Sequence, residues 1–242
     1  MKIRIITMAV ALSSLTVLPA AAQTGRWSVS FDAGSEIAVS GNVHDGGTGT
    51  VLALPTTVEA RSYGDIYGSP FTWSLGFGYG VSDSGELRVR VSRTATDATK
   101  VQVGNVATLP LFAEFDRYNA LGMDVGYRQY YGADAARVRP FAGVSAGFVR
   151  VDEINGTFTV PAAGVTLADV PMTGASTVFG FAVSGGVHVP VSSNFGIQAG
   201  VDFRWQGNLD PVDGLAGTGL EPINDTTRRW AMPITVGAVV KF

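Results

Sequence analysis

The last thirteen residues, Trp230 to Phe242 (WAMPITVGAVVKF), constrain the fold more than any other stretch. Every second residue counted back from the end is apolar: Phe242, Val240, Ala238, Val236, Ile234, Met232 and Trp230, with an aromatic at either limit. The intervening Lys241, Val239, Gly237, Thr235, Pro233 and Ala231 are smaller or more polar. A period of two places the sets on opposite faces of a β-strand. An apolar face bracketed by aromatics and backed by small or charged residues suits a strand that crosses a bilayer in a closed barrel. Pro233 donates no ladder hydrogen bond and predicts a bulge.

The alternation recurs upstream. Arg26 to Gly34 sets Trp27, Val29, Phe31 and Ala33 against Ser28, Ser30 and Asp32; Phe71 to Val81 sets Phe71, Trp73, Leu75, Phe77 and Tyr79 against Thr72, Ser74 and three glycines. Glu86 to Thr94 turns Leu87, Val89 and Val91 outward and Glu86, Arg88, Arg90 and Ser92 inward. Arg117 to Tyr130 turns Leu121, Met123, Val125 and Tyr127 outward and Tyr118, Asp124 and Arg128 inward. Val138 to Arg150 is less regular, with Phe141 inward, Phe148 outward and room for a bulge. Thr177 to Val189 carries Phe179, Phe181, Val183 and Val187 outward and Ser184 and His188 inward. Phe195 to Gln206 carries Phe195, Ile197, Val201, Phe203 and Trp205 outward and Gln198, Asp202 and Arg204 inward.

With the terminal stretch these make eight strands, each near the length that crosses a bilayer at a tilt. The connections alternate long and short, and the four long ones cover residues 35–70, 95–116, 151–176 and 207–226. Brief turns on one side and longer loops on the other, with an even strand count, describe an all-β, closed, eight-stranded antiparallel up-and-down transmembrane barrel. Closure leaves no unpaired edge in lipid.

The start of the chain reads as an export signal. Lys2 and Arg4 precede a mostly apolar run from Ile5 to Leu18, and Ala20-Ala21-Ala22 offers a cleavage site before Gln23. Residues 1–22 are therefore set aside as a signal peptide and residues 23–242 as the barrel; the other reading, an anchor helix, fits the short apolar core poorly. Without Lys2 and Arg4 the 17 basic residues become 15 against 20 acidic ones, a net charge of −5. That balance argues against a nucleic-acid partner. There is no cysteine, hence no disulfide framework and no thiolate site.

The terminal VGAVVKF, the run Arg139-Pro140-Phe141-Ala142-Gly143-Val144, the glycine-alternating WSLGFGYG and the leader together resemble the OmpA-like eight-stranded outer-membrane barrels, the small porin-family proteins. The resemblance spans residues 23 to 242. It implies a bacterial outer-membrane location with contact to outer-membrane lipid and lipopolysaccharide. It also implies a terminal aromatic, here Phe242, read by the barrel-assembly machinery. The peptidoglycan-binding domain of larger relatives has no counterpart in these residues. Such barrels serve many roles, so the resemblance labels a fold rather than a task.

The inward set predicts a charge network of Asp32, Glu86, Asp124 and Asp202 with Arg88, Arg90, Arg128, Arg204, Arg229 and Lys241. An eight-stranded lumen is wide enough only for side chains to fill, so an ion-pair plug is the expectation. The alternative is a narrow or gated pore lined by Arg88, Arg90 and Arg128. The predicted lipid-facing aromatics are Trp27, Phe71, Trp73, Phe77, Tyr79, Tyr127, Phe195, Trp205, Trp230 and Phe242.

Two residue pairs bear on an enzymatic reading. His188 and Ser184 share a face but sit two steps apart on it, about 13 Å, too far for a nucleophile–base pair of the lipid A deacylase kind. His44-Asp45 resembles the dyads of outer-membrane proteases, which have ten strands and further acids. The expectation is a monomer that is not an enzyme and needs no cofactor or metal, with an unidentified loop ligand. Asp210, Asp213, Glu221 and Asp225 match no calcium loop and read as a solvated acidic segment. Leu109, Leu111, Phe112, Val160 and Val165 form an adhesive patch or pack between neighbouring loops.

Overall fold

The computed structural model describes residues 24–51, 53–133, 136–212, 215 and 219–242; the predicted signal peptide lies outside them. In chain order the elements are β1 (Trp27–Ser40), β2 (Asn42–His44), β3 (Gly47–Val51), β4 (Leu54–Val58), β5 (Arg61–Ser62) and the helix α1 (Tyr63–Tyr67). There follow β6 (Phe71–Gly80), β7 (Gly85–Thr96), β8 (Val101–Val106), β9 (Leu109–Phe115), β10 (Tyr118–Tyr130) and β11 (Arg139–Val151). The chain continues through β12 (Ile154–Val160), β13 (Val165–Thr173), β14 (Ser176–Pro190) and β15 (Phe195–Gln206) to β16 (Arg229–Lys241).

Eight of these strands close into an antiparallel barrel in the order β1-β16-β15-β14-β11-β10-β7-β6. Closure is made by the first and last strands. β1 pairs with β16 from Ser28–Lys241 upward, and Trp27 and Phe242 exchange backbone hydrogen bonds of 3.0 Å in both directions. Large apolar side chains stand on the outer wall, among them Phe31, Met123, Val144, Phe148 and Val236. That inversion of a soluble protein is stable only where hydrocarbon replaces water. Glycines make room inside: a Cβ on Gly78 would overlap Glu86 Oε1, so the carboxylate occupies the space a larger residue would take.

Neither predicted bulge forms. The register of β11 against β10 and β14 runs unbroken. Pro233 pairs in register with Glu36, while Val201–Ile234 and Arg204–Ala231 keep a single register on its other side. The missing N–H is accommodated by a lapse in pairing at Asp202 and Phe203, not by an extra residue. A register shift in β1 lies instead between Ala38 and Ser40.

The first three of the four long connections fold into further strands, which the glycine- and threonine-rich composition of the first does not predict. β13-β12-β9-β8-β4-β3 form a six-stranded sheet on the side away from the short turns, and β2 pairs with β5. Strands from different connections pair with one another, β4 with β8 and β9 with β12. Such pairing is non-local and leaves no local signature in sequence. The layer has its own hydrophobic core, including Val103, Leu111, Ala113, Phe115, Ile154, Phe158 and Met172. Of the apolar loop residues singled out in the sequence, Leu111 and Val160 are buried there and Leu109 and Val165 pack against them, so these pack between loops.

Candidate functional site

The barrel interior is built by period two. Asp32 on β1, Glu86, Arg88 and Arg90 on β7, Asp124 and Arg128 on β10, Asp202 and Arg204 on β15, and Arg229 and Lys241 on β16 all occupy inward positions and are largely or partly shielded from solvent. Nearest the short turns, Glu86 accepts hydrogen bonds from Ser28 Oγ (2.5 Å) and Tyr130 OH (2.8 Å). Lys241 Nζ lies 5.6 Å from the Tyr130 ring centre.

Above this, Arg128 donates to Gln198 Oε1 at 2.8 Å and Gln198 donates to Asp32 Oδ1 at 2.5 Å. The Arg128 guanidinium also lies 3.9 Å over the Phe141 ring. Arg88 donates to Ser30 Oγ at 2.7 Å and stands 4.0 Å from Asp32. In the next layer Arg90 spans the lumen, its Nε 3.1 Å from Asp124 and its Nη1 2.6 Å from Asp202, whose carboxylate also accepts from Arg204 at 3.3 Å. Three small cavities of about 20, 20 and 30 Å³ lie among these groups, the first lined mainly by polar side chains such as Asp32, Arg90, Gln198 and Asp202, and each has room for a water or two.

The outer end of the lumen holds residues that sequence reasoning missed. Glu36 pairs with Arg229, both buried. Arg229 also donates to Tyr118 OH at 3.2 Å and lies 4.9 Å from the ring centres of Tyr63 and Tyr118. Tyr63 and Tyr67 arrive on α1, which is started by a capping box: Asp65 N donates to Ser62 Oγ (3.2 Å) and Ser62 N to Asp65 Oδ2 (3.0 Å). Glu36 was legible by extending the inward series 28, 30, 32, 34 by one step. α1 was not, because a five-residue helix inside a polar connection carries too little periodicity.

The aromatics named from sequence stand on the outer wall in two bands. Trp27, Phe77, Tyr79, Tyr127, Phe195 and Phe242 lie toward the short turns, with Trp27 and Tyr79 4.8 Å apart. Phe71, Trp73, Trp205 and Trp230 lie toward the other end, where Trp230 stacks on Phe203 at 4.6 Å and Trp205 on Phe181 at 5.4 Å.

Both histidines pack against aromatic rings. His188 pairs in register with Arg139 and meets the edge of Tyr130 at 5.9 Å, and Ser184 lies opposite Gly143. His44 is buried beneath the external sheet, stacked on Phe115 at 5.5 Å, its Nδ1–H donating to Asp45 O at 3.0 Å. Of the acidic segment, Asp213 lies outside the described residues.

Burial holds the His44 imidazole below its ordinary pKa of 6.5, against the opposing pull of the Asp45 carbonyl. The unfolded layer therefore binds a proton that the folded layer refuses, and stability falls as pH drops below about 6.5. Amide exchange in β8 and β9, corrected for intrinsic rates, is expected to be faster at about pH 5.5 than at about pH 7.5, and His44→Phe to flatten the difference. An unchanged pH profile in that variant would assign the effect elsewhere.

A family model described as the outer membrane protein beta-barrel domain matches residues 7–242. A search of curated proteins finds no match. Among solved structures the chain is similar to the Neisserial surface protein NspA, with 14% identity, 90% of this chain and 98% of that chain covered, and a TM-score of 0.53. It is also similar to OprG from Pseudomonas aeruginosa (13% identity, 91% and 97% covered, TM-score 0.45) and to the outer membrane protease OmpT from Escherichia coli (9%, 95% and 99%, TM-score 0.44). At 14% identity the likeness to NspA is one of fold.

Proposed function

Because the chain belongs to the family of the outer membrane protein beta-barrel domain, we propose that it serves in the bacterial outer membrane as a barrel with a plugged polar lumen that works through its folded external layer. The observation that carries this reading is Arg90, which joins Asp124 on β10 to Asp202 on β15 across the interior. A guanidinium held by two carboxylates from separate strands fixes the cross-section, and the neighbouring Arg128–Gln198–Asp32 chain repeats the device one layer away. Export by a cleaved signal peptide, recognition of Phe242 by the assembly machinery, a monomeric state and contact with lipopolysaccharide belong to the same proposal. A catalytic role is not part of it: His188 faces Tyr130 and His44 faces Phe115.

The test is conductance of the purified barrel in a planar bilayer, where an electrically silent protein is expected. Stable ohmic steps would overturn the plug, and their loss in Arg90→Ala would assign them to the lumen. Turnover of lipid A or dibasic peptides, read by mass spectrometry, would overturn the non-enzymatic part.

A further inference from the structure

The external layer holds a further cavity, of about 90 Å³, whose apolar lining contrasts with the lumen's charges. It lies at the ends of three hairpins, farthest along the chain from the barrel strands. At each end the last paired residues are apolar: Val51 with Leu54, Val106 with Leu109, and Val160 with Val165. Leu220 and Ile223 of the last connection close another side. Among the described lining residues only Thr56 is polar, and its hydroxyl already donates to Leu54 O at 3.2 Å. Hairpin ends in water normally carry polar turn residues, so apolar pairs at three of them are a cost unless something apolar meets them.

The opening is marked by exposure. Within residues 41–70, 97–117, 152–175 and 207–228, the only large apolar side chains exposed among the described residues are Leu54 and Leu167, and both line this cavity. Ala163, exposed on the turn between β12 and β13, lines it with them. The volume is below the roughly 150 Å³ of an apolar cavity that admits a benzene ring. A narrow, unbranched chain therefore fits better than a ring. Among the described lining residues no donor, acceptor or charge is free to recognise a polar group, which stays outside.

We infer that this cavity binds the aliphatic end of an amphiphile presented from the external medium, its polar head remaining at the mouth beside Leu54 and Leu167. The inference rests on reading the external layer as the working face of the barrel. Recognition is by chain alone, so affinity rises about fourfold with each methylene until the cavity is full, and is indifferent to head-group charge.

The experiment uses the full barrel in lipid nanodiscs, free of detergent, with labelled Ile, Leu and Val methyl groups, titrated with 1-butanol, 1-pentanol, 1-hexanol and hexanoate. Saturable shifts are expected at Leu109, Leu111 and Ile223, with Kd falling about fourfold per methylene and hexanoate matching 1-hexanol within a small factor. Ala163→Trp, at an exposed position, is expected to block the mouth, and Leu111→Phe to fill the cavity from within; each abolishes the shifts. Linear shifts shared with Val144 on the outer wall would mean partition into lipid only and would overturn the site, as would binding unchanged in both variants. A barrel that is electrically silent yet takes up no alcohol refutes the cavity alone; stable conductance with saturable uptake refutes the plug alone.

Discussion

Arg229→Met is expected to destabilise the barrel by about 3–5 kcal/mol, because it leaves the Glu36 carboxylate buried without its partner. The pair itself is weak evidence for stability: two charges removed from water recover their desolvation only through good geometry and further hydrogen bonds. Here the two Nη groups of Arg229 meet Tyr118 OH and Glu36 and the guanidinium lies against the Tyr63 and Tyr118 rings, while its buried Nε has no hydrogen-bond partner among the described residues. Breaking one side exposes the full desolvation cost of the other. The double variant Glu36→Leu/Arg229→Met removes both charges and is expected to recover most of the loss. The measurement is the urea midpoint of the barrel in lipid for the wild type, both single variants and the double. A single-variant loss below about 1 kcal/mol would show that water reaches Glu36 and that the outer end of the lumen is not sealed.

Phe115→Ala is expected to cost the external layer about 3–5 kcal/mol while leaving the barrel closed. Phe115 is buried, meets Phe158 edge-on at 6.2 Å and stacks on His44, so truncation empties the centre of that core. The barrel's closing contacts, β1 with β16, are made by other residues. The layer and the barrel should therefore part company experimentally. Limited proteolysis is expected to cut within residues 97–117 and 152–175, while the unboiled protein keeps the anomalous gel migration of an intact barrel. Loss of the gel shift along with the cuts would mean that the two parts fold as one cooperative unit.

How much of this was legible beforehand follows from the physics of each part. The strands predicted at Phe71–Val81, Phe195–Gln206 and Trp230–Phe242 match β6, β15 and β16 to within a residue at each end. Lipid on one face and packed polar groups on the other impose strict alternation on every strand, which makes the pattern local and redundant. The inward charges were legible for the same reason, and Glu36 escaped only because β1 continues past Gly34 to Ser40. The external strands carry shorter versions of the signal: Leu111, Ala113 and Phe115 alternate with Phe112 and Glu114, and Ile154, Gly156, Phe158 and Val160 with Asn155, Thr157 and Thr159. Seven residues among glycines and threonines do not declare which of several loops they will pair with.

The amino-acid order by itself determined that the chain crosses a membrane as eight strands, which side chains point inward and which end carries the long connections, since each depends only on parity and spacing along one strand. Which inward charges meet, how α1 brings Tyr63 and Tyr67 over the Glu36–Arg229 pair, and where three apolar hairpin ends converge around a cavity depend on contacts between residues as much as 193 positions apart. Those were decided only in the folded molecule, because strand register and loop pairing are set by long-range packing that no local pattern encodes.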